Sequence, residues 1–179
     1  MTQTAQTYGE SLYELARDEH LSEEILRQMQ AVCEILRENP EYVTLLSLPS
    51  IPKKERCDTL DKSFRQQIHP YLLNFMKILT ENGTISQFDG CRQAYQRCYN
   101  RDNGIVEVVA ISAVALTEEA QEKLRARLAE RTGKTVKLTN RIDPEILGGI
   151  RLEMDGTRLD GSVRNRLDDL QSVLRNMVL

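Results

Sequence analysis

Four groups of residues have types and spacings that could do chemistry. RTGKT at 131–135 ends as a phosphate-binding loop ends. Such a loop needs another glycine five positions before the one preceding lysine, so that backbone N–H groups can cradle phosphate, and Leu128 stands there. The context is also reversed, because Gly133 closes a helical pattern and leads into a strand instead of following one. Nucleotide chemistry is therefore rejected. His20 and His69 are far apart, with no cysteine or carboxylate at a catalytic spacing, so no nucleophile and base can be paired. The four cysteines all fall on helical patterns. Cys91 and Cys98 lie on the stripe Phe88, Cys91, Tyr95, Cys98, roughly 10 Å apart along a helix and beyond disulfide reach. Cys57 shares a face with Leu60 and Phe64, and Cys33 neighbours Val32 and Leu36. These are expected to be small core residues in a reducing compartment. No catalytic, cofactor or metal site is expected.

The fourth group is the glycine- and aspartate-rich stretch DPEILGGIRLEMDGTRLDGS at 143–162. A calcium loop needs oxygen ligands at alternating positions, then glycine and a closing glutamate, and that order is missing. Asp155-Gly156 sits between alternating segments as a hairpin turn, and Asp160-Gly161 leads into a helix cap at Ser162. Gly148-Gly149 suits a bulge or a close backbone approach. The stretch is read as turning the chain.

The elements around these groups divide the chain. Residues 1–104 read as six helices. Tyr8, Leu12 and Leu15 form an i, i+4, i+7 stripe on a helix over about 4–19. Ser22 is expected to cap the second helix, with Leu21 and Leu26 as a staple, and Asn39-Pro40 to end it. A short helix near 41–47, the break LPSIP, and a fourth helix over 53–64 follow. Pro70 opens a fifth that Asn82-Gly83 stops, and a sixth runs from about Ile85 to Arg101. Residues 105–179 read as an α/β domain with a small sheet and two helices. IVEVVAISAV suits a strand buried on both faces, and Thr117 caps a helix ended by Gly133. Val136 and Leu138, then Ile150, Leu152 and Met154, alternate as half-buried strands. A final helix carries a period-3.5 seam at Val163, Leu167, Leu170, Leu174 and Met177.

The fifth helix, PYLLNFMKILTEN, is apolar on two faces, with Leu72, Met76 and Leu79 on one and Tyr71, Phe75 and Ile78 on the other. It is either central or covered by a partner, and a groove for a foreign amphipathic helix is the sharper reading. Gly9 and Ser11 are small and would admit another helix beside Tyr8 and Leu15.

Composition limits the partners. A net charge of −3 with no basic run argues against nucleic acid. No apolar stretch approaches a membrane span, and the polar start MTQTAQTYGE lacks a signal-peptide core. These features suit a cytoplasmic interaction protein, either a structural subunit or a helical adaptor of some other complex.

With those residues in view, the chain resembles the delta subunit of bacterial and chloroplast F-type ATP synthases, akin to the mitochondrial oligomycin-sensitivity-conferring protein. The likeness rests on DPEILGGIRLEMDGTRLDGSVRNRL and, in order, on YGESLYELA, LPSIPKKE, NFMKILTENG and VVAISAVALTEEA. Gly9 departs from the alanine common in the family, which would soften the first helix by about 1 kcal/mol. The resemblance implies a non-catalytic stator part without cofactor, peripheral on the cytoplasmic side of a bacterial plasma membrane or a thylakoid. It implies that an N-terminal six-helix bundle grips the N-terminal helix of an alpha subunit through its first and fifth helices. Tyr8, Ser11, Leu12, Leu15, Phe75 and Ile78 are the groove candidates. It also implies that the C-terminal domain meets b-type stalk subunits, with Val163, Leu167, Leu170 and Leu174 as contact candidates.

Overall fold

A computed structural model describes residues 2–146, 149–154 and 157–160. The chain divides into two compact units, Met1–Tyr99 and Asn100–Leu179.

The first unit is helical: α1 (Gln3–Asp18), α2 (Ser22–Glu38), α3 (Pro40–Ser47), α4 (Lys53–Phe64), α5 (Pro70–Glu81), a 3-10 turn (Ile85–Gln87) and α6 (Phe88–Asp102), whose last residues enter the second unit. Local chemistry sets most of these bounds. Thr2 caps α1, its hydroxyl accepting the Ala5 N–H at 3.2 Å. Pro40 and Pro70 stand at the first positions of α3 and α5, where a missing N–H costs nothing. Gly83 ends α5 in the left-handed region, with the Thr84 N–H returning to the Leu79 carbonyl at 2.8 Å. The expected cap of α2 is different. Helix α2 starts at Ser22 itself, Leu21 holds the cap position, and no side chain caps it.

One apolar core gathers side chains from α1 to α6, with Leu72, Met76 and Leu79 fully buried in it. Helix α5 is therefore largely central, as one of its two sequence readings required. Tyr95 stands edge-on to Tyr13, centroids 5.3 Å apart, and donates its hydroxyl to the Ser22 carbonyl at 2.9 Å. The small residue at position 9 serves this core. A Cβ on Gly9 would collide with the Cys91 carbonyl and lie 2.7 Å from the Ala94 Cβ, so the helix that approaches closely there is the chain's own α6.

The second unit holds β1 (Ile105–Ser112), α7 (Glu118–Thr132), β2 (Thr135–Ile142), β3 (Ile150–Met154) and β4 (Thr157–Asp160). Their order in the sheet is β2-β1-β3-β4. Strand β1 is parallel to β2, Val106 beside Val136, and antiparallel to β3, Val108 beside Met154. This central place explains its β-branched run. Val106, Val108 and Val136 pack with Leu138, Leu152 and Met154, and with Leu128 and Ala129 of α7. Thr117 caps α7 through the Ala120 N–H, and Gly133 closes it at φ 66°. The expected hairpin turn Asp155-Gly156 and the expected last helix lie outside the described residues.

Candidate functional site

The two helices singled out for excess apolar surface are neighbours. The rings of Tyr8 on α1 and Phe75 on α5 meet edge-on with centroids 6.4 Å apart. The Asn82 side-chain amide donates to the Tyr8 hydroxyl at 3.2 Å. Beside this contact two large apolar side chains stay in solvent, Leu15 at 44% and Ile78 at 46% exposure. Ser11 is exposed and Tyr8 half-buried, whereas Leu12 and Phe75 are buried in the core. Of the six candidates, Tyr8 and Phe75 are the pair brought into ring contact, and Ser11, Leu15 and Ile78 are the ones left exposed. Val163, Leu167, Leu170 and Leu174 lie outside the described residues.

The residues read as chemically suggestive are structural. RTGKT spans the end of α7, its left-handed cap and the first residue of β2. His69 caps α5, its Nδ1 accepting the Tyr71 N–H at 3.2 Å. His20 adopts φ 58° just after α1, where its N–H bonds the Arg17 carbonyl and the Leu21 N–H bonds that of Ala16. Cys33, Cys91 and Cys98 are buried, and none of the four cysteines forms a disulfide among the described residues. Burial pushes the Cys33 and Cys91 thiols up to about 11. Cys57 departs from its core reading. It is half-buried, with its thiol 3.7 Å from a Glu81 carboxylate oxygen, and Arg56 takes the buried position beside Leu60 and Phe64. Asp143 begins a turn, its carboxylate accepting the Glu145 N–H at 3.1 Å, as the turn reading of that stretch requires.

Three polar devices were invisible to pattern reading. Arg56, 5% exposed, donates from one Nη1 to the carbonyls of Leu46 and Thr80 at 2.8 and 2.9 Å, joining the last turns of α3 and α5. A cation suits those helix ends. Asp89, in the first turn of α6, accepts bonds from Arg37 (3.2 Å), Arg92 (3.1 Å) and Gln93 (2.9 Å). Asn140 brackets the loop after β1: its amide donates to the Ala110 carbonyl and the Ser112 hydroxyl, both at 2.9 Å, while its oxygen accepts the Leu116 N–H. The sequence offered one signal, an arginine four residues before Leu60 on an apolar face.

Among the described residues no three His, Cys, Asp or Glu side chains gather into a metal-binding group, and no helix is long and apolar enough to cross a membrane. The described residues leave Leu15 and Ile78 exposed on α1 and α5, while the chemically suggestive residues cap, turn and pack. The family model of the ATP synthase delta (OSCP) subunit matches residues 4–174, and the chain belongs to that family. It is 26% identical over 175 residues to an ATP synthase subunit delta of Clostridioides difficile, covering 97% of each chain. It is 32% identical over 170 residues to that of Gloeobacter violaceus, covering 94% of this chain and 92% of the other. Its fold resembles a chain of the Toxoplasma gondii mitochondrial ATP synthase hexamer, with TM-score 0.77 at 20% identity over 97% of this chain and 98% of that one. The protein is a non-catalytic component of the peripheral stalk of an ATP synthase.

Proposed function

We propose that the chain is a two-ended link. Residues 1–104, as a six-helix bundle, hold the N-terminal helix of an alpha subunit in the groove of Tyr8, Ser11, Leu12, Leu15, Phe75 and Ile78. Residues 105–179 hold b-type stalk subunits, with the seam Val163, Leu167, Leu170 and Leu174 as the contact. So placed, peripheral on the cytoplasmic side of a bacterial plasma membrane or a thylakoid, the protein keeps the catalytic head from turning with the rotor. Rotation then changes the catalytic sites. The task requires slow dissociation and no reactive group.

The observation that carries the head-binding half is the exposure of Leu15 and Ile78 beside the Tyr8–Phe75 contact. Burying two such side chains against a partner contributes favourably in proportion to the apolar area covered. Ile78→Asp in the full chain tests it. The substitution should weaken binding of an alpha-subunit N-terminal peptide at least about tenfold, because an unpaired charge in an apolar interface is costly. Helicity should be unchanged, since the position is wet in the free protein. Undiminished binding would move the grip elsewhere. For the other end, Leu170→Asp should lower ATP synthesis by reconstituted vesicles while leaving head binding intact.

A further inference from the structure

Between α2, α3, the 3-10 turn and the start of α6 lies a cavity of about 140 Å³. Its walls are apolar, with Leu36, Ile85 and Phe88 buried and Val43 half-buried. An apolar cavity of about 150 Å³ admits one benzene ring, so the space suits a single six-membered ring. The Cys33 thiol completes the wall. Burial pushes it up to about 11, which keeps it a neutral, polarizable neighbour for an aromatic ligand.

The outer rim is polar, with Arg37 and Ser86 exposed and Asp89 partly so. Arg37 reaches Asp89 at 3.2 Å while its side chain stays 66% exposed, so further guanidinium N–H groups face water. Glu34 and Glu38 flank Arg37 on α2 in solvent but do not line the cavity. Asp89 receives Arg37, Arg92 and the Cys33 thiol at Oδ1, while the Gln93 amide donates to Oδ2. A carboxylate oxygen accepts about two bonds, so Oδ2 keeps room for another donor. Hydrogen-bond donor and acceptor thus stand side by side above an apolar space.

We infer that this cavity binds a small neutral hydroxy-aromatic molecule, a phenol, whose ring fills the apolar walls while its hydroxyl donates to Asp89 and accepts from Arg37. A carboxylate in that place would face Asp89, and an ammonium group would face Arg37 and Arg92. A neutral group that both donates and accepts meets neither repulsion. With the hydroxyl at the rim, the opposite carbon of the ring points into the buried walls, which leaves no passage for the backbone of a partner's tyrosine. The ligand is therefore a free molecule. The site belongs to α2, α3 and α6, so it stands or falls independently of the docking role of α1 and α5.

The test titrates the full chain with phenol, benzene, benzoate and N-acetyltyrosine amide, following backbone amide signals by NMR. Phenol should shift the signals of Cys33, Val43 and Phe88 and reach saturation. It should bind about tenfold more tightly than benzene, because a hydrogen bond to a charged group contributes roughly that factor. Benzoate and N-acetyltyrosine amide should leave those signals in place. Asp89→Asn should narrow the gap between phenol and benzene. Val43→Phe, which fills the cavity from its half-buried wall, should abolish the phenol shifts, and Asp89→Asn carries the test alone should that variant fail to fold. No saturable shift with phenol, equal binding of phenol and benzene, or a gap unchanged in Asp89→Asn would overturn the inference. Saturation of the same signals by benzoate or N-acetyltyrosine amide would make the ligand an anion or a partner's tyrosine, and would overturn it as well.

Discussion

Gly9 and Cys91 stand where two helices touch backbone to backbone: a single methyl group on Gly9 would overlap the Cys91 carbonyl oxygen. Intrinsic preference says that Gly9→Ala should strengthen α1 by about 1 kcal/mol. Packing opposes this, because overfilling a tight contact typically costs about 1–3 kcal/mol. Backbone and the Ala94 Cβ line the site, so no flexible side-chain tip can yield. Gly9→Ala is expected to destabilise the protein, read as a lower midpoint in urea denaturation. A raised midpoint would mean that α6 can move away.

His20 adopts a left-handed conformation that side chains with a Cβ occupy at a cost. Its two flanking hydrogen bonds form the helix stop that glycine makes at Gly83. Replacing His20 by glycine should raise stability by a few tenths to about 1 kcal/mol, since relief of strain is partly offset by the freer unfolded chain. Gly83→Ala should do the reverse. Thermal melts of the pair check both signs.

Arg56 donates from the interior to both the Leu46 and the Thr80 carbonyls. Arg56→Ala leaves both acceptors buried and opens a cavity, an expected loss of about 2–4 kcal/mol. Arg56→Lys keeps the charge and loses the planar donor geometry, so an intermediate loss should follow. Equal stability of Arg56→Ala and the parent would remove the clasp from the energetics.

Stability should fall at both ends of the pH scale. At Asp89, burial alone would raise the carboxyl, but the hydrogen bond and charge of Arg92, with Gln93 and Arg37, outweigh it and hold it below the ordinary range. A lowered folded value contributes stability above the unfolded value that is lost as pH falls through the folded one. Asp89→Asn should flatten the acid limb, modestly because the group is partly solvated. Cys33 and Cys91, raised by burial to about 11, act in the opposite sense: their contribution is present below about 9 and fades as pH rises toward 11. Denaturation midpoints measured across pH check both limbs.

Much of the helical order is legible because it is written in single residues with strong local preferences. Pro40, Pro70, Gly83, Thr117 and Gly133 mark ends that depend on φ, a missing N–H or a hydroxyl, all of them properties of one residue. What escaped depends on facing helices. Periodicity placed Cys57 on the buried face of α4, but the true face is rotated toward Arg56, whose carbonyl partners lie 10 and 24 residues away. Gly9 carries no sign of which helix it admits. Ser22 looks like a cap, yet its hydroxyl is not used as one. On α1 and α5, the helices the pattern singled out, only burial separates Leu15 and Ile78 from Leu12 and Phe75.

The sheet order has a mechanical corollary. Strand β1 lies between β2 and β3, paired from Ile105 to Ser112 on one side and from Val108 to Ser112 on the other. Tension entering the strand at Ile105 pulls along its axis, across ladder bonds that run largely sideways to it. The bonds are then loaded in shear, sharing the force, instead of peeling one after another. A single-molecule pull on the strand end should give one high rupture event where peeling would give a low plateau. For a part whose work is to stand still under torque, resistance would come from loading geometry as much as from equilibrium stability.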